Sequence, residues 1–93
     1  MIIGACSLKL TIYESNSLKE KRHIIKSIIG KLQSRFNISI AEVDLNDSWQ
    51  SSIIGFACVT NDTHHANQVI SNVIKFIDAD SRVEIIDYEI EML

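Results

Sequence analysis

Residues 38–60 read ISIAEVDLNDSWQSSIIGFACVT, two strand-like runs with a turn between them. The first run, residues 38–45, is rich in β-branched side chains and is bounded by Asn37 and by Asn46, Asp47 and Ser48, residues that close turns through their own side chains. The second, at about residues 52–60, is apolar almost throughout. A link from Asn46 to about Gln50 is short enough to join antiparallel neighbours, so the centre of the chain reads as a β-hairpin.

The flanks are nearly symmetrical about that hairpin. Residues 2–13 alternate, with Cys6, Leu8, Leu10 and Ile12 against Ser7, Lys9, Thr11 and Tyr13, which is the period of a strand. Ser17 and Glu20 then form a capping box, in which each side chain satisfies a backbone N–H at a helix start, and the helix begins at Leu18. Leu18, Ile25, Ile28, Ile29, Leu32 and Phe36 return at helical spacing and form one apolar stripe. After the hairpin, Asn61 and Asp62 offer an N-cap for a second helix carrying Ala66, Val69, Ile70, Val73, Ile74 and Ile77. Residues 82–92 close the chain as a fourth strand. Two crossovers around a central hairpin predict a ferredoxin-like βαββαβ sandwich of the α+β class: a four-stranded antiparallel sheet with two helices on one face. The term describes topology and brings no iron–sulfur chemistry.

The 93 residues form one domain, 1–93, with a single core. Three glycines, no proline and 46% apolar residues fit a compact, ordered chain without linker or repeat. The apolar start lacks a basic leader and meets Lys9 too early for a signal sequence or a membrane span, which predicts a cytoplasmic protein without a membrane partner. Cys6 and Cys58 sit in strand-like runs without metal-ligand spacing and read as buried thiols. His64 and His65 point to different sides of a helix, so no metal is expected, and no cofactor motif occurs. Glu42 and Lys9 are charges within mainly apolar strand runs and are expected to pair across the sheet. No nucleophile–base pair or catalytic motif is present, and the expectation is a protein that is not an enzyme.

Charge divides the chain unevenly. Residues 1–35 carry a balance of +5 and residues 36–93 one of −8, within a net charge of −3. Six of the nine basic residues lie on the first helix, where Lys19, Arg22 and Lys26 line one flank of the stripe while Lys31 and Arg35 line the other. Together with Lys21, and with Trp49 and Gln50 at the hairpin, these are the candidate residues for contact with RNA or a partner. The competing reading is a solvated helix face whose charges pair with the acidic half, and a Trp49 folded over the end of the core. Ile54-Gly55-Phe56-Ala57-Cys58-Val59 partly matches an RNA-recognition strand but lacks its basic residue and second aromatic. Both faces of the hairpin are apolar, which predicts a homo-oligomer, most simply a dimer.

The stretches Ser17-Leu18-Lys19-Glu20-Lys21-Arg22, Arg35-Phe36-Asn37-Ile38-Ser39-Ile40-Ala41-Glu42-Val43 and Asp47-Ser48-Trp49-Gln50 resemble the YlxP-like family of small bacterial proteins. Where members of that family often carry a basic residue after the Trp-Gln pair, this chain has Ser51 and Ser52. The resemblance implies the ferredoxin-like fold and, from the genes that accompany the family, a place near ribosome assembly or translation. The function expected is therefore a non-catalytic binding protein with ribosomal RNA or a ribosome-assembly protein as partner. The alternative is an oligomeric small-ligand-binding regulator that uses the sheet face or a dimer cleft.

Overall fold

Period-two alternation in the first strand, β1 (Ile2–Ile12), puts Gly4, Cys6, Leu8, Leu10 and Ile12 on one side of the sheet, and that side is buried. The computed structural model describes residues 1–93. After β1 come α1 (Leu18–Arg35), β2 (Ser39–Asp44), β3 (Ser51–Thr60), α2 (Thr63–Asp78) and β4 (Val83–Met92). The strands lie in the order β2-β3-β1-β4 and every neighbouring pair is antiparallel, which is the ferredoxin-like sandwich expected from the sequence.

One core joins the inner face of the sheet to both helices. Leu8, Leu10, Ile12, Ile54 and Phe56 meet Ile25, Ile28 and Leu32 of α1 and Ile70, Val73 and Ile77 of α2. Each such side chain, once fully buried, contributes about 1.5–3 kcal/mol. Helix α2 lies over β1, β3 and β4, and α1 lies over β2. The close seating of α2 depends on Gly4, where an added Cβ would stand 3.1 Å from Ala66 Cβ and 3.2 Å from Ile70 Cδ1.

The capping box forms at the predicted place with one change of partner. Glu20 N–H donates to Ser17 Oγ at 3.1 Å, whereas the Glu20 carboxylate accepts from Asn16 N–H at 2.8 Å, one residue before the cap. Strand β2 ends earlier than its composition suggests, because Leu45 turns into the left-handed region at φ 58° and cannot continue the ladder. In β4 the register against β1 shifts between Lys9 and Leu10, leaving Ile86 as an extra residue at a bulge.

The expected Lys9–Glu42 pair does not exist. Lys9 stands exposed on the outer face opposite Ile53 and Asp87, while Glu42 pairs with Ile54 and so points to the helix side. Side chains on opposite faces of one sheet cannot meet.

Candidate partner-binding surface

Helical spacing decides the fate of each basic residue on α1. Lys19, Arg22, Lys26, Lys31 and Arg35 are exposed. Lys21 is not: it is 0% exposed, and it leaves the candidate surface. The reason lies in its phase, since position 21 falls on the same stripe as Ile25, Ile28 and Leu32. A buried ammonium is tolerated only when its donors are satisfied. Here Lys21 Nζ donates to Glu42 Oε2 at 2.6 Å, to the Leu45 carbonyl at 2.9 Å and to the Asn46 carbonyl at 3.2 Å. The buried Ser52 hydroxyl donates to the same Glu42 oxygen. This cluster ties the first turn of α1 to the β2–β3 hairpin and fixes the left-handed turn at Leu45.

The latch brings two parts of the expected surface together. Lys19 and Arg22 flank Lys21 in sequence, and the carbonyls it holds lie just before Trp49 on the hairpin tip. Trp49 is 55% exposed, so its indole does not close the end of the core. Gln50 is exposed as well, yet its amide donates to the Ser15 carbonyl at 3.3 Å, tying the tip to the β1–α1 turn. The other flank of α1 faces elsewhere. Lys31 and Arg35 border a cleft of about 480 Å³ shared with Phe76, Asp80 and Arg82. The Arg35 guanidinium lies 5.0 Å from the centre of the Phe76 ring.

Arg82 had no signal in the sequence, because its partners come together only in the fold. It donates from Nε to Asp80 Oδ1 at 2.9 Å, from Nη2 to Asp80 Oδ2 at 2.7 Å and to Ser27 Oγ at 3.3 Å. The hydrogen bonds from Arg82 hold the Asp80 carboxyl below its usual pKa of 3.8 against the opposing effect of burial, and the charge of Lys31 adds to them. Lys21, by contrast, was readable from its spacing to Ile25, Ile28 and Leu32.

The molecule contains two ion pairs, Lys21–Glu42 and Arg82–Asp80. None of the five exposed cations of α1 has a carboxylate within ion-pair distance, although the charge of Lys31 still acts on Asp80. On the sheet, Phe56 is buried beneath the helices and offers no stacking surface on the outer face. Cys6 and Cys58 are buried free thiols, and burial pushes the Cys6 thiol up to about 11. His64 and His65 are exposed, and no three His, Cys, Asp or Glu side chains converge as metal ligands. No helix is long and apolar enough to cross a membrane.

Comparison with known proteins speaks to the fold and the family. The chain is 35% identical over 83 residues to the uncharacterized protein YlxP of Bacillus subtilis (strain 168), covering 89% of this chain and 90% of the relative. Among solved structures, it superposes on the de novo designed protein Foldit4 with a TM-score of 0.55 at 11% identity, covering 100% of this chain and 97% of the other. It superposes on the de novo designed protein LFR1 1, which has a ferredoxin fold, with a TM-score of 0.50 at 14% identity, covering 98% and 86%. At these identities the two designs speak for the fold alone. Residues 3–90 match the family described as "Protein of unknown function (DUF503)", and together with the YlxP relative this places the chain in that family.

Proposed function

We propose that the protein is a non-catalytic RNA-binding protein of the cytoplasm, acting near ribosome assembly or translation, with the Lys19, Arg22 and Lys26 flank of α1 and the hairpin tip as its contact surface. The support is the absence of internal counter-charge: these cations stand exposed without a carboxylate partner beside an exposed Trp49. Phosphates would be met by the cations, and an unstacked base by the indole face. The experiment is sedimentation with ribosomal subunits and with ribosomal RNA at several salt concentrations. Binding should weaken with a log–log slope of about −0.7 per phosphate neutralised on single strands. Reversing Lys19, Arg22 and Lys26 to Glu should abolish it while the protein stays folded. Undiminished binding by that folded variant would remove this flank as the contact.

A second reading, an oligomeric small-ligand-binding regulator, draws on the outer face of the sheet. There Ala5, Ala41, Gly55 and Ala57 floor a shallow trough of about 430 Å³ beside Val43. Both readings are compatible with a dimer formed through this face, and light scattering should then give more than the 10.5 kDa of one chain at micromolar concentration. Salt-insensitive ribosome binding, or none, with a ligand-dependent dimer would favour the regulator.

A further inference from the structure

The edge strand β4 carries a second surface of opposite charge. Its neighbour on one side is β1, and its other side is free. Ile3 and Leu93 exchange both backbone hydrogen bonds, at 3.0 and 2.8 Å. Antiparallel ladders alternate hydrogen-bonded with non-bonded pairs, so in this register Glu91 and Glu89 also bond inward to Ala5 and Ser7. The N–H and C=O groups of Ile90 and Met92 and the C=O of Tyr88 therefore point outward and free, whereas the outward Tyr88 N–H donates to Asp87 Oδ1 at 2.8 Å.

The same three residues bear an uncovered apolar row. They lie on the helix side of β4, opposite Leu8, Cys6 and Gly4, and they are 51%, 43% and 37% exposed. Asp87, Glu89 and Glu91 project from the other face without ion-pair partners. A free, regular edge with apolar side chains is a template for another strand, and natural proteins usually blunt such edges. Here the acidic row decides which strand fits. Pairing β4 with a second copy of itself about a two-fold axis would set acidic residues directly opposite one another, which is unfavourable. The chain's other free edge, β2, carries Glu42 and Asp44 and is no better matched.

We propose that the outer edge of β4 takes an extended segment of a partner protein by strand addition, one in which basic side chains alternate with apolar ones. The partner's backbone pairs with Ile90, Met92 and the Tyr88 carbonyl, its apolar side chains cover the row, and its basic side chains lie beside Asp87, Glu89 and Glu91. The site is independent of the α1 flank.

The test uses the whole chain and an acetylated, amidated octapeptide alternating Lys with Val and Tyr. Saturating peptide should slow amide hydrogen exchange at Ile90 and Met92 by about tenfold or more, with little change at Glu89 and Glu91, whose amides are already bonded to β1. Ile90→Pro removes an outward N–H without touching the β1 ladder, a place where an edge strand accepts proline, and should abolish peptide binding, whereas Ile90→Val should keep it. Should the proline variant not fold, Glu89→Lys with Glu91→Lys provides the same test and should also lose the peptide. Reversal of Lys19, Arg22 and Lys26 should leave peptide binding unchanged. Unslowed exchange at saturation, or equal binding of the peptide with Glu in place of Lys, would overturn the proposal. A concentration-dependent dimer that Ile90→Pro or the Glu89/Glu91 reversal dissolves would overturn it too, by showing a second copy on the edge.

Discussion

Lys21 shows how one residue can look like surface in composition and be core in position. Its ammonium is committed to Glu42 and two backbone carbonyls, so truncation strands a carboxylate and the carbonyls of a left-handed turn. Removing one partner of a buried pair costs about 3–5 kcal/mol. Because the Glu42 side chain retains 14% exposure, Lys21→Ala should fall at the lower end of that range, read as a drop in denaturation midpoint. The double change Lys21→Met with Glu42→Leu should recover much of the loss, since the partners are then removed together. A different behaviour belongs to Cys6, where burial disfavours the thiolate and raises the thiol to about 11. The native protein should react slowly with a thiol reagent at pH 8 and quickly once unfolded; fast native labelling of Cys6 would contradict its burial.

At the scale of elements, the seat of α2 on the sheet is set by one missing side chain. A Cβ on Gly4 would press on Ala66, Ile70 and Cys58 together at 3.1–3.3 Å, so buried neighbours on both α2 and β3 would have to shift. Gly4→Ala should destabilise by about 1–3 kcal/mol, the usual cost of overpacking, measured by chemical denaturation. An unchanged midpoint would mean that α2 rides out at no cost. Helix starts were legible for a local reason. Ser17 and Asp62 accept from the backbone N–H groups of Glu20 and His64, and such caps involve only residues two or three apart. The end of β2 was not legible in the same way, because the turn at Leu45 is held by Lys21 from another element.

Across the whole molecule, charge is arranged by distance within the fold rather than by the balance of the two halves. The basic flank of α1 lies on the side of β2, and the acidic row of β4 forms the opposite edge of the sheet. Besides Glu42 with Lys21, a second acid of the 36–93 half, Asp80, finds a cation in Arg82. Its pKa is lowered in the folded state, so its stabilisation is complete above the ordinary value near 3.8 and is lost as the pH falls through the lowered one. Asp80→Asn should therefore cost a surface-pair amount, about 0.2–1 kcal/mol, at neutral pH. Thermal melts should show that gap closing towards pH 2, and a gap independent of pH would mean that the loss is one of packing.

The sequence by itself determined the order of elements, the helix caps and the alternation of β1 that turns one face to the core. These depend on periodicity and on neighbours a few residues apart, which any folded form of the chain would share. It also placed Lys19, Arg22 and Lys26 on the outside, but left Trp49 open between the hairpin tip and the end of the core, which the fold decided. Tertiary structure alone decided the partners of buried charge. Lys9 and Glu42 are both isolated charges in apolar strands, but only strand register shows that they face opposite sides, and only docking of α1 brings Lys21 to Glu42. The Asp80–Arg82–Ser27 cluster and the outward backbone of Tyr88, Ile90 and Met92 have the same origin. They depend on which elements become neighbours, and that is set by the packing of the whole chain rather than by any local stretch of it.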